Sequence, residues 1–331
     1  MWKILKHPID LASFILGLSP SNRPFFVHFE STLQCNMRCW FCNVWRHNPF
    51  PVEASTELFK KRLDEAWSLG CRLISFTGGE PLMRSDIGEL VKHSLDLGFY
   101  TGLVTNGLLI DSNLENLQGL DMLAISFTFD EDNYNSSRGV NAFSKVERNI
   151  LLAKDEGLKP VIFCTLDQES LKHLCKTVAF AKANELILYL NLVSELPRES
   201  VDEANWSKVK VKGVEVLHRI RETKKSYSGV RFNDYYLSRS KGIEDYLRCQ
   251  AARTVVALKP DASVSLPCMI HSVVNSGGRP LKEFWESEVA RDSRRLCGRY
   301  SFCDGCDVSC MYVASLVGHP FQIAKWLKET I

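Results

Sequence analysis

Three cysteines stand close together near the start of the chain, at Cys35, Cys39 and Cys42, with the spacing C-x3-C-x2-C. Thiolates are soft ligands, and a group of them in one short loop predicts a metal site. Iron–sulfur clusters normally take four thiolates, so this loop without a local fourth cysteine predicts a cluster with one iron open to a small molecule. A zinc site is the alternative, because Zn²⁺ prefers tetrahedral sulfur and nitrogen ligands and His28 and His47 are near in the sequence.

A second group of cysteines occupies the last quarter of the chain. Three of its members have the spacing C-x2-C-x3-C, and the segment from Leu258 to Cys268 is typical of a small hairpin that delivers one more thiolate. We therefore predict a second metal site. A zinc knuckle is the alternative here, because C-x2-C pairs suit Zn²⁺ well. The members of the group are Cys249, Cys268, Cys297, Cys303, Cys306 and Cys310.

Polar motifs follow three further predicted strands. Gly78-Gly79-Glu80-Pro81 comes after the first of them, where glycines permit close backbone approach and the Glu80 carboxylate can accept from an ammonium group. Thr105-Asn106-Gly107 closes the next strand, and an ordinary turn is the alternative for this triplet. Ser126 lies in the strand after that, near its carboxyl end, and Arg138 follows later in the chain.

The elements that must position these residues alternate along the chain. From Phe25 onward, short β-branched or aromatic runs alternate with helical patterns, which is typical of βα units with parallel strands. We predict an α/β fold, a partial (β/α)6 TIM-like barrel with a small cysteine-rich C-terminal extension; functional loops of such barrels lie at the carboxyl ends of the strands. Predicted strands cover residues 25–30, 72–77, 99–104, 122–128, 160–166 and 186–192. Predicted helices cover residues 55–69, 86–97, 113–117, 143–156, 171–183 and 206–222.

Length and composition limit the function classes. A chain of 331 residues is long enough for a large domain and a smaller one, and we divide it into an amphipathic N-terminal helix (1–24), the barrel (25–240) and the extension with a C-terminal helix (241–331). The net charge of +2 is too small to favour a nucleic-acid partner. Twelve cysteines are too few for a disulfide scaffold, so we expect reduced thiols, and no apolar run reaches the ~20 residues of a membrane span. We expect a cytoplasmic protein.

Both ends of the chain are predicted to form apolar helices. Residues 1–18 have a wide apolar face, and the stretch from His319 to Leu327 repeats the same pattern. Such faces are covered either by the rest of the protein or by lipid. The second alternative predicts an enzyme at the membrane edge with a lipid or isoprenoid substrate.

The motifs taken together resemble those of radical S-adenosylmethionine (radical SAM) enzymes. The resemblance implies that the open iron of a [4Fe–4S] cluster chelates S-adenosylmethionine (SAM) and cleaves it reductively to a 5′-deoxyadenosyl radical, which takes hydrogen from an organic substrate. It further implies a reductase, flavodoxin or ferredoxin as electron donor. Thr128 stands where the family often has Asp. The resemblance assigns Cys35, Cys39 and Cys42 to the cluster, Phe41 to the adenine, Gly78, Gly79, Glu80 and Pro81 to the methionine amino group, Asn106 to the cofactor site, Ser126 to the methionine or ribose, and Arg138 to the carboxylate.

The segment from about 245 to 315 resembles the SPASM/twitch extension of radical SAM enzymes. The resemblance implies one auxiliary [4Fe–4S] cluster. Ala262 stands where the turn of the family usually has glycine. The implied ligands are Cys249, Cys268, Cys303 and Cys306, with Cys310 as the main rival and Cys297 less favoured. The remaining cysteines, Cys71, Cys164 and Cys175, are predicted to be core thiols.

Four functions remain open from the sequence. The terminal helices favour a lipid or other small-molecule substrate. The SPASM/twitch resemblance favours maturation of a peptide or protein. Decarboxylation of a tetrapyrrole precursor is the third possibility and needs basic residues at the barrel mouth. A non-catalytic iron–sulfur scaffold is the alternative from a different class.

Overall fold

The computed structural model describes residues 23–46, 52–193, 213–232, 248–303 and 306. One ten-stranded sheet forms its centre. The strands are β1 (Phe26–Thr32), β2 (Leu73–Gly78), β3 (Tyr100–Thr105), β4 (Met122–Ser126), β5 (Pro160–Leu166), β6 (Ile187–Leu192), β7 (Val230–Arg231), β8 (Val255–Leu258), β9 (Val264–Pro267) and β10 (Ser272–Asn275). Their order in the sheet is β10-β9-β8-β1-β2-β3-β4-β5-β6-β7. All pairs from β8 to β7 are parallel, whereas β8–β9 and β9–β10 are antiparallel.

Most of the helices connect successive parallel strands, and the last two come after β10 in the chain. They are α1 (Thr56–Leu69), α2 (Ile87–Leu97), α3 (Glu131–Arg138), α4 (Phe143–Asp155), α5 (Gln168–Lys172), α6 (Leu174–Ala183), α7 (Gly213–Ser226), α8 (Ala251–Thr254), α9 (Leu281–Glu286) and α10 (Glu288–Leu296). Local chemistry explains the ends of α1. The Ser55 hydroxyl accepts from the Leu58 N–H at its start, and Gly70 ends it with φ 116°, a left-handed conformation that glycine adopts readily.

The two faces of the parallel strands differ in burial. Side chains alternate between the faces of a strand, and those that face the helices are buried, such as Phe29, whose ring centre is 4.7 Å from that of Phe59 on α1. Several residues on the inner face are only partly buried. Phe163 of β5 and Tyr189 of β6 contact each other there, with ring centres 5.3 Å apart. The inside of the barrel is therefore lined in part by aromatic side chains that solvent reaches.

The extension continues the sheet of the barrel. β8 pairs in parallel with β1, with Val255 opposite Phe26 and Leu258 opposite Phe29. The buried Arg62 of α1 donates through Nε to the Ala262 carbonyl at 2.9 Å, which ties the barrel to the β8–β9 turn. Ala262 has φ 61°, a left-handed conformation that favours glycine.

The structure confirms the α/β fold class and the six predicted βα units, whose strands begin and end within about two residues of the predicted bounds. Three differences stand out. The predicted helix 171–183 is two helices divided at His173, and residues 115–117 form only a 3-10 turn. The structure adds α3, β7 and the β8–β1 pair, which the sequence analysis did not predict.

Several predictions fall on residues that the structure does not describe. The described residues do not include the two predicted terminal helices, the predicted domain boundary at residue 240 or Cys310. Among the described helices, none has the length and apolarity needed to cross a membrane.

Candidate functional site

The loop that carries the first three cysteines follows β1 directly. It is fixed to the end of α3 by two backbone hydrogen bonds, from Arg38 N–H to the Arg138 carbonyl at 2.9 Å and from Trp40 N–H to the Ser137 carbonyl at 3.2 Å. This attachment explains why α3 matters for the site, although the sequence analysis predicted only Arg138 at its end and not the helix itself. The loop is placed at the carboxyl end of the sheet, where the loops after β2 and β3 also arrive.

The three thiols of this loop lie near one another. Cys35, Cys39 and Cys42 are free and half-buried. Burial is the main reason why the pKa of Cys39 is raised to about 11; Arg138 opposes this shift, and the charges of Cys42 and Cys35 contribute to it. Burial also raises the pKa of Cys35. Such thiols become thiolates when a cation takes the place of the proton, so this donor set fits a cluster that needs three protein thiolates.

Asn106 connects the loop after β3 to the first cysteine. Its Nδ2 donates to Asn36 Oδ1 at 2.6 Å and lies 3.9 Å from Cys35 Sγ, within hydrogen-bonding range for sulfur. The sequence predicted Asn106 at the site, and the structure places it beside a predicted cluster ligand. A donor in this position stabilises charge on the sulfur.

Glu80 holds the loops after β2 and β3 together. Its side chain is fully buried and accepts from the Thr105 hydroxyl at 2.7 Å, the Asn106 N–H at 2.7 Å and the Leu82 N–H at 3.1 Å. Burial raises the pKa of Glu80 to about 7, and the three donors oppose that shift. Both carboxylate oxygens thus accept from protein donors. A contact of Glu80 with a cofactor ammonium group stays a prediction.

Gly78 and Gly79 approach protein backbone closely. A Cβ on Gly79 would lie 2.1 Å from the Gln34 carbonyl oxygen, and one on Gly78 would lie 2.2 Å from the Thr32 carbonyl oxygen. The close approach that the sequence predicted is therefore made to the start of the cysteine loop. The buried Pro81 begins the 3-10 turn that follows.

Two aromatic rings lie against Arg138, the residue that is predicted to bind the carboxylate of the cofactor. Arg138 is only 4 % exposed, and its guanidinium carbon lies 4.8 Å from the ring centre of Phe41 and 5.2 Å from that of Tyr134. The Tyr134 hydroxyl donates to the Ser126 carbonyl at 3.4 Å. The structure thus brings together Phe41, Ser126 and Arg138, three residues assigned to the cofactor. Tyr134 joins them, and sequence analysis missed it because α3 was not predicted.

Five cysteines of the second group also converge. Ala252 N–H donates to Cys297 Sγ at 3.4 Å, and the Cys297 thiol shares a hydrogen bond with Cys249 that raises its pKa, as do its burial and the Cys303 charge. Cys297, less favoured from the sequence, therefore lies in the group. The spacing did not indicate this, because Cys297 follows α10 and reaches Cys249 only through the packing of α8 and α10.

Cys268 approaches the same group from the hairpin. His271 N–H donates to its Sγ at 3.3 Å. Burial raises the pKa of Cys268, and the charges of Cys249 and Cys306 raise it further. The predicted hairpin thus delivers its thiol to the other cysteines. The donor set fits an iron–sulfur cluster, which takes four thiolates.

An ion pair lies between the two cysteine groups. Lys259, which follows β8, pairs with the buried Glu30 of β1. The Lys259 Nζ also donates to the Met269 carbonyl at 3.1 Å, one residue beyond Cys268. The strand that leads to the first cysteine loop is therefore connected to the hairpin of the second group.

The remaining cysteines divide into two kinds. Cys71 and Cys164 are fully buried, as predicted for core thiols. The prediction was wrong for Cys175, which is exposed because it lies on the outer face of α6.

Comparison with known proteins identifies the barrel. The Radical SAM superfamily matches residues 29–181. The chain is 29 % identical over 213 residues to the Fe-coproporphyrin III synthase of Methanosarcina barkeri; the aligned region covers 58 % of this chain and 53 % of the relative. It is 24 % identical over 320 residues to the AdoMet-dependent heme synthase of the same organism; this alignment covers 87 % of this chain and 90 % of the relative. It is 30 % identical over 177 residues to the PqqA peptide cyclase of Granulibacter bethesdensis; this alignment covers 50 % of this chain and 46 % of the relative.

The chain spans about half the length of two of these relatives. The fold is similar to that of Streptococcus suis SuiB bound to S-adenosylmethionine, with a TM-score of 0.70 and 19 % identity over 86 % of this chain and 71 % of SuiB. The matched residues include the cysteine loop, the Gly78–Pro81 motif, Asn106, Ser126 and Arg138. Radical SAM proteins use a [4Fe–4S] cluster and SAM. The chain therefore contains a radical SAM domain, which includes residues 29–181.

Proposed function

We propose that this enzyme binds a [4Fe–4S] cluster at Cys35, Cys39 and Cys42 and takes hydrogen from an organic substrate held inside the barrel. The convergence of three half-buried thiols at the carboxyl end of β1, with Asn106 beside Cys35, carries the proposal. When bound, the cluster and SAM supply a 5′-deoxyadenosyl radical by one-electron cleavage of the sulfonium. The protein orients the reactants and excludes water.

We assign the neighbouring residues by their contacts. Arg138 is buried and always charged, so it is suited to bind the carboxylate of SAM, while its stacking on Phe41 fixes the plane of the guanidinium. Ser126, partly exposed at the end of β4, faces the inside of the barrel. Glu80 acts as a positioning residue, because it orders the loop of Asn106.

The test of this function is formation of 5′-deoxyadenosine. Protein reconstituted anaerobically with iron and sulfide and reduced with dithionite is expected to convert SAM to 5′-deoxyadenosine and methionine. Cys42→Ala is expected to form none, whereas Cys175→Ser, a change of an exposed thiol outside both groups, is expected to match the wild type. Absence of the product from fully reconstituted wild-type protein contradicts the proposal and favours the scaffold.

We further infer an auxiliary [4Fe–4S] cluster in the extension. Its ligands come from Cys249, Cys268, Cys297, Cys303 and Cys306, with Cys249 central because it interacts with both Cys268 and Cys297. Cys310 stays a candidate ligand outside the described residues. Cys249→Ser is expected to lower the iron content from about eight to about four per chain without removing the SAM-binding cluster. Equal iron content in wild type and Cys249→Ser contradicts the inference, as does stoichiometric zinc.

For the substrate we favour a carboxylated tetrapyrrole. The relative named a heme synthase aligns over nearly the whole of both chains. The inner face of the barrel offers Phe163 and Tyr189 for contact with a planar ring system.

A peptide substrate is the second candidate. It is supported by the 30 % identity to the PqqA peptide cyclase. The relatives favour these two substrate classes over the lipid or isoprenoid that the terminal helices suggested.

The two classes can be separated in one assay. Iron coproporphyrin III and a synthetic substrate peptide of the cyclase relative are each added to reduced enzyme with SAM. A tetrapyrrole substrate is expected to raise 5′-deoxyadenosine formation. Each carboxyethyl side chain that reacts is expected to lose carbon dioxide, with one hydrogen atom going to the 5′-deoxyadenosyl radical and one electron going to the auxiliary cluster. Stimulation by the peptide alone, with a changed peptide mass, contradicts the tetrapyrrole assignment.

A further inference from the structure

A row of side chains crosses the inner face of the barrel, starting at a residue that we assign to the cofactor. Ser126 of β4 lies opposite Phe163 of β5 in the register of the sheet, and Phe163 lies opposite Tyr189 of β6. Because neighbouring strands are about 4.8 Å apart, the Cα atom of Tyr189 lies about 10 Å from that of Ser126. Tyr189 therefore borders the space next to the predicted SAM site.

The hydroxyl of Tyr189 is a polar group among apolar neighbours. The adjacent row on the same face contains Ala124, Val161 and Ile187, which offer no side-chain hydrogen-bond acceptor. Within the part of the chain that the structure describes, no group hydrogen-bonds to the Tyr189 hydroxyl. A phenylalanine would make the same ring contact with Phe163, so packing alone does not explain the presence of the hydroxyl.

The Tyr189 hydroxyl keeps its proton and can donate it in a hydrogen bond. Burial raises the pKa of Tyr189, with Arg231 opposing the shift, and an ordinary tyrosine already titrates only near pH ~10. The side chain is half-buried, so a ligand inside the barrel can reach it. A donor in such a partly desolvated place binds an acceptor more strongly than it does in water, and an anionic acceptor most strongly.

We propose that the Tyr189 hydroxyl binds a carboxylate of the substrate and is a specificity-determining residue of this enzyme. The proposal deepens the tetrapyrrole assignment and rests on the proposed function. The ring system packs against Phe163 and Tyr189, and the hydroxyl at the edge of the Tyr189 ring donates to the carboxylate of one carboxyethyl side chain. This contact holds the side chain in place beside the SAM site. A substrate without the carboxylate leaves the hydroxyl unpaired and is bound less well.

The first test measures binding without turnover. Iron coproporphyrin III is titrated into the reconstituted holoenzyme without a reductant, and the Soret absorbance gives the Kd. Tyr189→Phe removes only the hydroxyl and is expected to raise this Kd about tenfold. The tetramethyl ester of the same porphyrin has no carboxylate, so wild type and Tyr189→Phe are expected to bind it within about twofold of each other. Equal Kd values of the two proteins for the free acid overturn the proposal.

A matched variant separates substrate binding from a structural role. The Tyr227 hydroxyl donates to the Leu186 carbonyl at 2.9 Å, so Tyr227→Phe is expected to unfold at a lower urea concentration and to keep the wild-type Kd. Tyr189→Phe is expected to unfold at the wild-type urea concentration or above it, because no hydrogen bond within the described residues is lost. A loss of stability in Tyr189→Phe as large as that in Tyr227→Phe, or a failure to fold, overturns the proposal.

The second test measures how well the radical is coupled to the substrate. With SAM, reductant and iron coproporphyrin III, Tyr189→Phe is expected to release at least about twofold less carbon dioxide per 5′-deoxyadenosine than wild type or Tyr227→Phe. An unchanged ratio overturns the proposal, as does a wild type that forms 5′-deoxyadenosine and binds the peptide but not the porphyrin. Failure of the proposed function is distinguishable, because wild type then forms no 5′-deoxyadenosine with any substrate.

Discussion

The carboxylate of Glu80 accepts a hydrogen bond from the backbone N–H of Asn106 at 2.7 Å, and this contact joins the loop after β2 to the loop after β3. Glu80 N–H in turn donates to the Gln34 carbonyl at 2.7 Å, just before Cys35. One buried residue therefore sets the relative positions of three loops at the carboxyl edge of the sheet. The consequences for stability and for the cluster can be measured.

Replacing Glu80 is expected to destabilise the barrel. Glu80→Ala leaves the Thr105 hydroxyl and two backbone N–H groups buried without their acceptor, which is expected to lower the free energy of unfolding by about 3 kcal/mol or more. Urea unfolding measures this loss. Thr105→Val removes one donor to Glu80 and the acceptor of the Gly107 N–H, and is expected to lose about 2 kcal/mol. Equal stability of Glu80→Ala and Thr105→Val contradicts the central role of the carboxylate.

Replacing Gly79 tests the packing of the cysteine loop. A Cβ at this position meets the Gln34 carbonyl carbon at 2.6 Å and its oxygen at 2.1 Å, so Gly79→Ala must displace the loop that begins there. We expect Gly79→Ala to lose the iron of the SAM-binding cluster, about half of the total, by chemical analysis. Gly278→Ala is the control, because a Cβ there has no atom within 4 Å. Full iron content in Gly79→Ala is the contrary result.

Removing the Asn106 carboxamide is expected to shift the reduction potential of the SAM-binding cluster. Its Nδ2 lies 3.9 Å from Cys35 Sγ, and donors to a cluster sulfur stabilise the more negative, reduced state. Loss of a hydrogen bond of about 1 kcal/mol corresponds to a potential about 40 mV more negative for one electron. Redox titration followed by electron paramagnetic resonance measures the potential of Asn106→Ala. Asn113→Ala removes a carboxamide that donates to the Leu109 carbonyl instead, and is expected to leave the potential unchanged.

The titration of His28 is expected to make the protein less stable in mild acid. Burial lowers its pKa from 6.5 to about 4, and Lys259 adds to this effect while Glu30 opposes it. Between these two pH values the unfolded chain binds a proton that the folded chain excludes, so stability is lost as pH falls. Because the pKa of His28 falls from 6.5 to about 4 on folding, the loss in the free energy of unfolding is limited to about 3 kcal/mol.

His28→Phe provides the measurement. The His28 Nε2 is buried and accepts or donates no hydrogen bond among the described residues, and its ring contacts Phe26 edge to face. A phenylalanine keeps the ring contact and removes the unsatisfied nitrogen, so His28→Phe is expected to be as stable as wild type or more stable at pH 7. Urea unfolding between pH 7 and pH 4 is expected to show a smaller loss for His28→Phe. The same loss in both proteins contradicts this assignment.

The sequence by itself determined the α/β class, the strands that carry the site and the grouping of the three thiols that we propose as cluster ligands. It could do so because these features are local. Hydrophobic periodicity, the caps at Ser55 and Gly70, and the spacing of Cys35, Cys39 and Cys42 each depend on residues close together in the chain.

Only the tertiary structure decided how distant segments meet. The pairing of β8 with β1 joins residues more than 200 positions apart, and it brings Lys259 to Glu30 between the two cysteine groups. Packing of α8 against α10 brings Cys297 to Cys249, which no spacing rule indicated. The arrangement of other elements leaves Cys175 of α6 exposed and brings the loop after β3 to Glu80, where it supplies two of the three donors. Such contacts depend on the burial of whole elements against each other, and a one-dimensional pattern contains no information on which buried face meets which.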